Sequence, residues 1–118
     1  MGKGVFPKCN PHFYSKQRMS SDNPRIRYDA LRNVSNHFIR NHDVRRAIFE
    51  KCDYKCYLCG AKDDLQIDHV ISIYQGAKEK ISYKVINSYE NLMAVCRSCN
   101  AAKQPLQEEI WQDDQNKE

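Results

Sequence analysis

The sequence lacks any long apolar run, and its mean hydropathy of −0.81 is low. A membrane-spanning helix needs about 20 consecutive apolar residues, so we predict no transmembrane span. The first ten residues also lack the apolar centre of a secretory leader. We therefore expect the chain to stay in a reducing, cytoplasmic compartment, where structural disulfides are rare.

Cysteine, by contrast, is well represented, with six in 118 residues. Four of them form two pairs of identical spacing, Cys56 with Cys59 and Cys96 with Cys99, separated by 36 residues. Two intervening residues let both sulfurs of a pair face one ion, and thiolates suit tetrahedral Zn²⁺. Disulfides or buried free thiols are the alternatives, but the paired spacing favours a structural zinc site.

The remaining cysteines, Cys9 and Cys52, are predicted to be unliganded, although Cys52 lies close enough to the first pair to be a spare ligand. Gly60 follows the first pair directly and supplies the permissive backbone that such a turn needs. A chain of 118 residues forms one small domain with a modest core. A metal that links distant parts of the chain would therefore stabilise it appreciably.

Positive charge is concentrated in the first part of the chain. Residues 1–50 carry ten Lys and Arg against four Asp and Glu, a net +6, whereas residues 51–118 carry nine against eleven, a net −2. Aromatic residues are interleaved with the basic ones: Phe6, Phe13, Tyr14, Tyr28 and Phe38. Such a segment would attract a polyanion such as DNA, or its charge merely keeps a flexible leader in solution.

Apolar spacing predicts the regular elements. Residues 1 to about 24, with three prolines, are predicted to form an extended or partly disordered arm. Helices are predicted at 27–40 and at 43–52, the second capped by Asn41 or Asp43. A strand is predicted near 65–71 and a short apolar strand or turn at 92–96, and a helix is predicted after the second cysteine pair. Between the strands we expect a long polar loop that turns at Gly76.

Polar residues that could take part in catalysis lie between and after the two cysteine pairs in a specific order. Asp68 and His69 are adjacent at the end of the first predicted strand, and Asn91 precedes the second. Asn100 directly follows the last cysteine, and Lys103 comes one helical turn later. Taken singly, each has an ordinary explanation, such as packing for the histidine or turn capping for the asparagines.

Taken together with the two cysteine pairs, this order resembles the HNH endonucleases, a branch of the ββα-metal or His-Me finger nucleases. The resemblance covers about residues 45–105. It implies an α+β fold with a small ββα-metal core braced by a four-cysteine zinc site, with N-terminal helices and a basic arm outside it. The corresponding domains are a basic arm with a short helix at 1–42, the nuclease domain at 43–106 and an acidic tail at 107–118.

The resemblance also implies the role of each polar residue. His69 matches the general base that deprotonates the attacking water, a task for which a neutral imidazole is suited near pH 7. Asn91 matches the asparagine that fixes the loop and the orientation of the histidine ring. Asp68 and Asn100 match ligands of a catalytic divalent ion. Asn100 stands where many members have a second histidine, so the chain is of the HNN subtype.

Replacement of that histidine changes the expected metal. An amide oxygen from Asn100 and a carboxylate from Asp68 make an all-oxygen set from the protein, which favours Mg²⁺ or Mn²⁺ over Zn²⁺. We expect activity with Mg²⁺ or Mn²⁺ and inhibition when zinc occupies the catalytic site. The ion would stabilise the leaving 3′ oxygen, giving 5′-phosphate and 3′-hydroxyl ends.

Four lysines are candidates for phosphate contacts, with solvated surface positions as the alternative: Lys78, Lys80, Lys84 and Lys103. The favoured function is DNA cleavage, by nicking or on both strands. The alternative is a catalytically inactive zinc-braced DNA-binding module. The resemblance leaves the setting open between restriction or mobile-element nucleases and small phage proteins that act beside terminase and the packaging machinery in a bacterial host. No helix-turn-helix is recognisable, so we expect weak sequence preference.

Overall fold

The computed structural model describes residues 6–102. The elements follow in the order α1 (Phe13–Met19), α2 (Pro24–Ile39), α3 (His42–Lys51), β1 (Leu65–His69), α4 (Ile73–Glu79), α5 (Tyr83–Ile86), a 3₁₀ turn (Tyr89–Asn91) and β2 (Leu92–Cys96). Residues 97–102 are again helical. Within the described range, no helix has the length and apolar character needed to cross a membrane.

The two strands form an antiparallel pair in which Leu65 lies opposite Cys96 and His69 lies opposite Leu92. The apolar side of this pair packs on the preceding helices. Its core consists of the buried residues Phe38, Val44, Ile48, Ile67 and Leu92. Two strands followed directly by a helix confirm the expected α+β fold and are consistent with a ββα-metal core.

Local capping explains where the two long helices begin. The Asn23 side chain accepts hydrogen bonds from the backbone N–H groups of Arg25 and Ile26, and Pro24 occupies the first turn of α2. Asn41 caps α3 in the same way. Both predicted helices are confirmed, although α2 begins three residues earlier than predicted because Asn23 and Pro24 initiate it.

The N-terminal segment differs from the expected extended arm. Residues 13–19 form α1, which packs against α2. Before it, the Phe6 ring makes edge contacts with the rings of Phe38 and Tyr89, at centroid distances of 5.9 and 5.4 Å. The prolines precede α1 or open α2 rather than interrupting a helix, so they are compatible with helical structure here.

The predicted loop between the strands was also wrong, because it contains α4 and α5. Gly76 is not a turn residue but lies inside α4, where a Cβ atom would come within 2.8 Å of Ile86 Cδ1 and 3.1 Å of Leu31 Cδ2. Glycine at this position lets α4 pack closely against Ile86 of α5 and Leu31 of α2, because a larger residue would have to displace their side chains. The chain reverses instead at Lys80, whose left-handed conformation ends α4.

Strand β2 lies where it was predicted, whereas β1 ends at His69, two residues early. Val70 is half exposed rather than directed into the core, because its N–H bonds to the Asn91 carbonyl and the chain leaves the strand pair there. The acidic tail at 107–118 and Lys103 lie outside the described residues. The proposed division at residues 42 and 106 stays a prediction.

Candidate functional site

The two cysteine pairs meet at one place. The sulfur atoms of Cys56, Cys59, Cys96 and Cys99 all lie within 4.8 Å of one another, and those of Cys59 and Cys96 are 3.7 Å apart. Zn–S bonds of about 2.3 Å would place tetrahedral sulfurs about 3.8 Å apart. The four cysteines are thus positioned to hold a metal ion, and their geometry is compatible with structural zinc.

Backbone hydrogen bonds shape the first half of this cluster. The Cys56 N–H donates to the Ala61 carbonyl at 2.8 Å, and the Gly60 N–H donates to the Cys56 carbonyl at 2.9 Å. Gly60 has a φ of +82°, as expected for a turn that only glycine adopts easily. The second half is delivered by β2, since its last residue, Cys96, pairs with Leu65.

The thiols of the cluster differ in pKa. Burial raises the pKa of the Cys56 thiol, but backbone hydrogen bonds, led by that of Cys96, outweigh burial and lower it to about 6. Hydrogen bonding with Cys96 and burial raise the pKa of Cys99 to about 12. A cation among the four sulfurs would release the remaining protons, as metal binding to thiols does.

The other two cysteines have different surroundings. The Cys52 sulfur accepts a hydrogen bond from the Ala94 N–H at 3.2 Å and is not part of the four-sulfur cluster. The Cys9 sulfur accepts one from Asn87 Nδ2 at 3.5 Å. Cys52 therefore joins the end of α3 to β2, and Cys9 joins the N-terminal segment to the end of α5. The role of Cys52 as a spare ligand is not supported.

Asp68 and His69 occupy the end of β1 and are both buried, at 7% and 9% exposure. The pleat directs adjacent side chains to opposite faces. On one face, Asp68 Oδ2 accepts a hydrogen bond from the Tyr57 hydroxyl at 3.1 Å. On the other, His69 Nε2 lies 2.9 Å from Asn87 Oδ1.

The contact with Asn87 determines which ring nitrogen of His69 carries hydrogen. The amide nitrogen of Asn87 donates to Cys9, so its oxygen faces the ring and can only accept. Nε2 is therefore the protonated nitrogen, and Nδ1 of the neutral ring is the basic one. Burial lowers the pKa of His69, while the Asn87 hydrogen bond and the charge of Asp68 oppose this. The ring is consequently neutral near pH 7.

Asn91 organises the segment between the strands. Its Oδ1 accepts from the Ile71 N–H at 2.7 Å, and its Nδ2 donates to the carbonyls of Ile71 and Ile86 at 3.1 and 2.9 Å. These bonds tie the end of β1 to the end of α5 and close the segment that carries Asn87. Asn91 thus holds the loop, whereas the direct partner of the His69 ring is Asn87.

Asn100 lies in the helical segment after β2, and its Nδ2 donates to Gln66 Oε1 at 2.6 Å. Gln66 and Asp68 are two residues apart in β1, so their side chains share a face of the strand. Asn100 is thereby brought to the Asp68 face. The structure describes three of the four nominated lysines: Lys78 in α4, Lys80 at its C-terminal cap and Lys84 in α5, all exposed.

A model of the HNH endonuclease family matches residues 56–105. These residues form an HNH endonuclease domain. The match begins at the first cysteine of the cluster and includes Asp68, His69, Asn91 and Asn100. No curated protein and no solved structure shows significant similarity to the chain.

Within the HNH domain, sequence reasoning missed three contributors: Tyr57, Gln66 and Asn87. Asn87 is 3% exposed and lies immediately after α5. Asn87 stands in a polar stretch and has no regular spacing to His69, so nothing in the sequence indicated that it contacts the ring. Tyr57 follows the first cysteine directly, and its hydroxyl contact with Asp68 depends on the tertiary fold.

Proposed function

We propose that this protein is a metal-dependent DNA endonuclease that hydrolyses phosphodiester bonds with His69 as general base. The observation that carries the proposal is the state of His69 inside an HNH domain. Its ring is buried and neutral, Asn87 occupies Nε2, and the structure records no hydrogen bond to Nδ1 from residues 6–102. A protein that only binds DNA has no use for such a base.

In the proposed reaction, Nδ1 of His69 removes a proton from the water that attacks the scissile phosphorus. Asn87 fixes the ring so that this nitrogen, rather than Nε2, is the base. Asn91 keeps Asn87 in place by holding the segment between Ile71 and Ile86. As the water oxygen bonds to phosphorus, the bond between phosphorus and the 3′ oxygen breaks and the leaving oxygen takes a proton from solvent, so the products expected are a 5′ phosphate and a 3′ hydroxyl.

Asp68 and Asn100 would hold the catalytic ion. Their donor chemistry fits Mg²⁺ or Mn²⁺, since both offer oxygen ligands and Gln66 brings Asn100 to the Asp68 face of β1. When bound there, such an ion would neutralise charge that develops on the phosphate and the leaving oxygen. The cysteine cluster would hold Zn²⁺ as a separate, structural ion.

A plasmid-nicking assay tests the catalytic role of His69. His69→Ala should reduce cleavage by about 10²- to 10⁴-fold, the usual contribution of a general base. His37→Ala is the matched control, because His37 is exposed on α2, and it should cleave like the wild type. Equal cleavage by His69→Ala would remove this residue from its role. No cleavage by the wild type with any divalent ion would favour the inactive DNA-binding module.

Metal dependence tests the oxygen ligands independently. Cleavage should appear with Mg²⁺ or Mn²⁺, and excess Zn²⁺ should inhibit it. Asp68→Ala should raise the concentration of Mg²⁺ needed for half-maximal activity, with the cysteine-bound metal retained. Strong stimulation by zinc alone would contradict the assignment of Asp68 and Asn100.

The biological setting is proposed from the resemblance. A small HNH protein with this layout fits a role beside the phage terminase and packaging proteins, and restriction or mobile-element nucleases are the alternative. Neighbouring genes for terminase and portal proteins would support the packaging role.

A further inference from the structure

A groove of about 510 Å³ lies between α1, α2 and the segment that connects α4 with α5. It is lined by Arg27 from α2, Lys16 from α1 and Lys80 from the end of α4, together with apolar and hydroxyl side chains. Among the lining residues, all of which are described, none is Asp or Glu. The groove therefore concentrates positive charge outside the centre formed by Asp68 and His69.

Arg27 gives the groove its unusual character, because only 5% of this charged residue is exposed. Its Nε donates to the Ala77 carbonyl at 2.7 Å, and its Nη1 donates to the carbonyls of Ser21 and Asp22 at 2.9 and 3.3 Å. Throughout residues 6–102, no carboxylate forms an ion pair with Arg27. Neutral carbonyls fix the guanidinium in place but leave its charge without a counterion.

A buried charge is costly unless an opposite charge accompanies it. Planar guanidinium groups bind phosphate oxygens well, and the exposed Lys16 and Lys80 flank the same groove. An anion in the groove would supply the missing charge to Arg27 and contact both lysines.

We propose that this groove is a phosphate-binding site, in which Arg27 is a pre-positioned anchor and Lys16 and Lys80 complete the contact. The phosphate would come from a nucleic-acid backbone or from free phosphate. A nucleic-acid backbone as the source rests on the proposed nuclease function. It would extend the DNA-contacting surface from the HNH domain onto α1 and α2. Lys80 was nominated from the sequence, whereas Lys16 and Arg27 were not.

Binding experiments without added divalent ion test this proposal apart from cleavage. The test variant combines Lys16→Ala with Lys80→Asn, because asparagine tolerates the left-handed conformation at position 80. The control combines Arg32→Ala with Arg46→Ala, which removes the same charge from exposed positions outside the groove. Thermal melting should show that both variants remain folded.

Fluorescence anisotropy with a short labelled DNA duplex, measured over a series of salt concentrations, is the first measurement. The groove variant should bind about tenfold or more weakly near 0.1 M salt, and its log–log salt slope should decrease by about 2. The control should lose clearly less affinity. This result would identify a nucleic-acid backbone as the source of the phosphate, even if His69→Ala left cleavage unchanged.

Titration with inorganic phosphate, followed by amide NMR, is the second measurement. Free phosphate would be the ligand if two results are obtained together. The amide signals of residues 16–20 and 80–83 should shift saturably in the wild type but not in the groove variant, and the DNA affinity of the two proteins should be the same. If neither DNA affinity nor phosphate shifts distinguish the groove variant from the control, the proposal is overturned. Arg27 would then serve only to join α2 to α4.

Discussion

The strand pair carries the cysteine cluster at one end, where Leu65 pairs with Cys96, and His69 at the other, where it pairs with Leu92. The cluster and the polar centre around His69 are built in different ways. In the cluster, four identical donors converge on one point within 4.8 Å. In the polar centre, Asp68, His69 and Asn100 each bond to a different neighbour: Tyr57, Asn87 and Gln66. One site is a single ligand cage, and the other is held by hydrogen bonds to several neighbouring side chains.

This difference teaches how much each site depends on its surroundings. The turn at Gly60, the register of the strand pair and the start of the helix at 97–102 suffice for the cluster. The polar centre also requires α4, α5 and the hydrogen bonds of Asn91, because these place Asn87 against the His69 ring. Damage to the cluster should therefore affect the whole fold, whereas damage around Asn87 should affect mainly the chemistry.

Loss of the metal cluster is expected to have the largest effect. Cys59→Ser should abolish cooperative unfolding, because structural zinc contributes about 10 kcal/mol or more in small domains. Thermal melting by circular dichroism, with the bound metal quantified, is the measurement. Cys52→Ser is the control, since a hydroxyl can still accept from the Ala94 N–H. A Cys59→Ser protein that melts like the wild type would show that the cluster is not structural.

The next largest effect should come from Asn91→Ala. It removes three side-chain hydrogen bonds, and the partly buried N–H and carbonyl of Ile71 and the buried carbonyl of Ile86 lose this partner. We expect a loss of about 3 kcal/mol in the free energy of unfolding, measured with urea. Asn33→Ala, at an exposed position of α2, should change it by less than about 0.5 kcal/mol. Equal stability of the two variants would contradict the role of Asn91.

Asn87→Ala should separate chemistry from stability. We expect kcat for DNA cleavage to decrease by about 10- to 100-fold, as is typical when the partner that orients an active-site histidine is lost. Nitrogen-15 NMR should show hydrogen on Nε2 of His69 in the wild type and a mixture of tautomers in the variant. Val85→Ala changes an exposed position of α5 and should retain the wild-type tautomer. A single unchanged tautomer in Asn87→Ala would disprove the positioning role.

Gly76→Ala tests the close packing of α4 against Ile86 of α5 and Leu31 of α2. The new methyl group would lie 2.8 Å from Ile86 Cδ1, so we expect a destabilisation of about 1–2 kcal/mol, measured by urea unfolding. Gln75→Ala is the matched control, because its side chain is exposed in the same helix. If Gly76→Ala is as stable as this control, α4 can shift without cost.

The smallest effect concerns pH. Burial lowers the pKa of His69 in the folded protein, so the unfolded chain takes up a proton first as the pH falls. The free energy of unfolding should therefore decrease below about pH 6.5, by at most about 1.4 kcal/mol per pH unit. His69→Gln should show a shallower decrease over the same range. Parallel profiles would mean that His69 is not buried as a neutral ring.

Much of the fold followed from local patterns in the sequence. Apolar spacing and the capping residue Asn41 predicted α2 and α3, and the run at 92–96 predicted β2. The segment between the strands was mispredicted because polar residues and Gly76 are typical of loops when only neighbours are considered. Its helices form because Tyr74, Ala77 and Ile86 are buried, which depends on the distant helix α2.

The cysteine spacing and the order of Asp68, His69, Asn91 and Asn100 were sufficient to predict a four-sulfur site and an HNH domain. Both signals can be recognised without the fold, since ligand spacing and residue order are properties of the chain itself. The partner of His69, the face shared by Asn100 and Asp68, and the burial of Arg27 arose only on folding. Each is a contact between residues at least 18 positions apart, and such pairings are set by the packing of whole helices and strands.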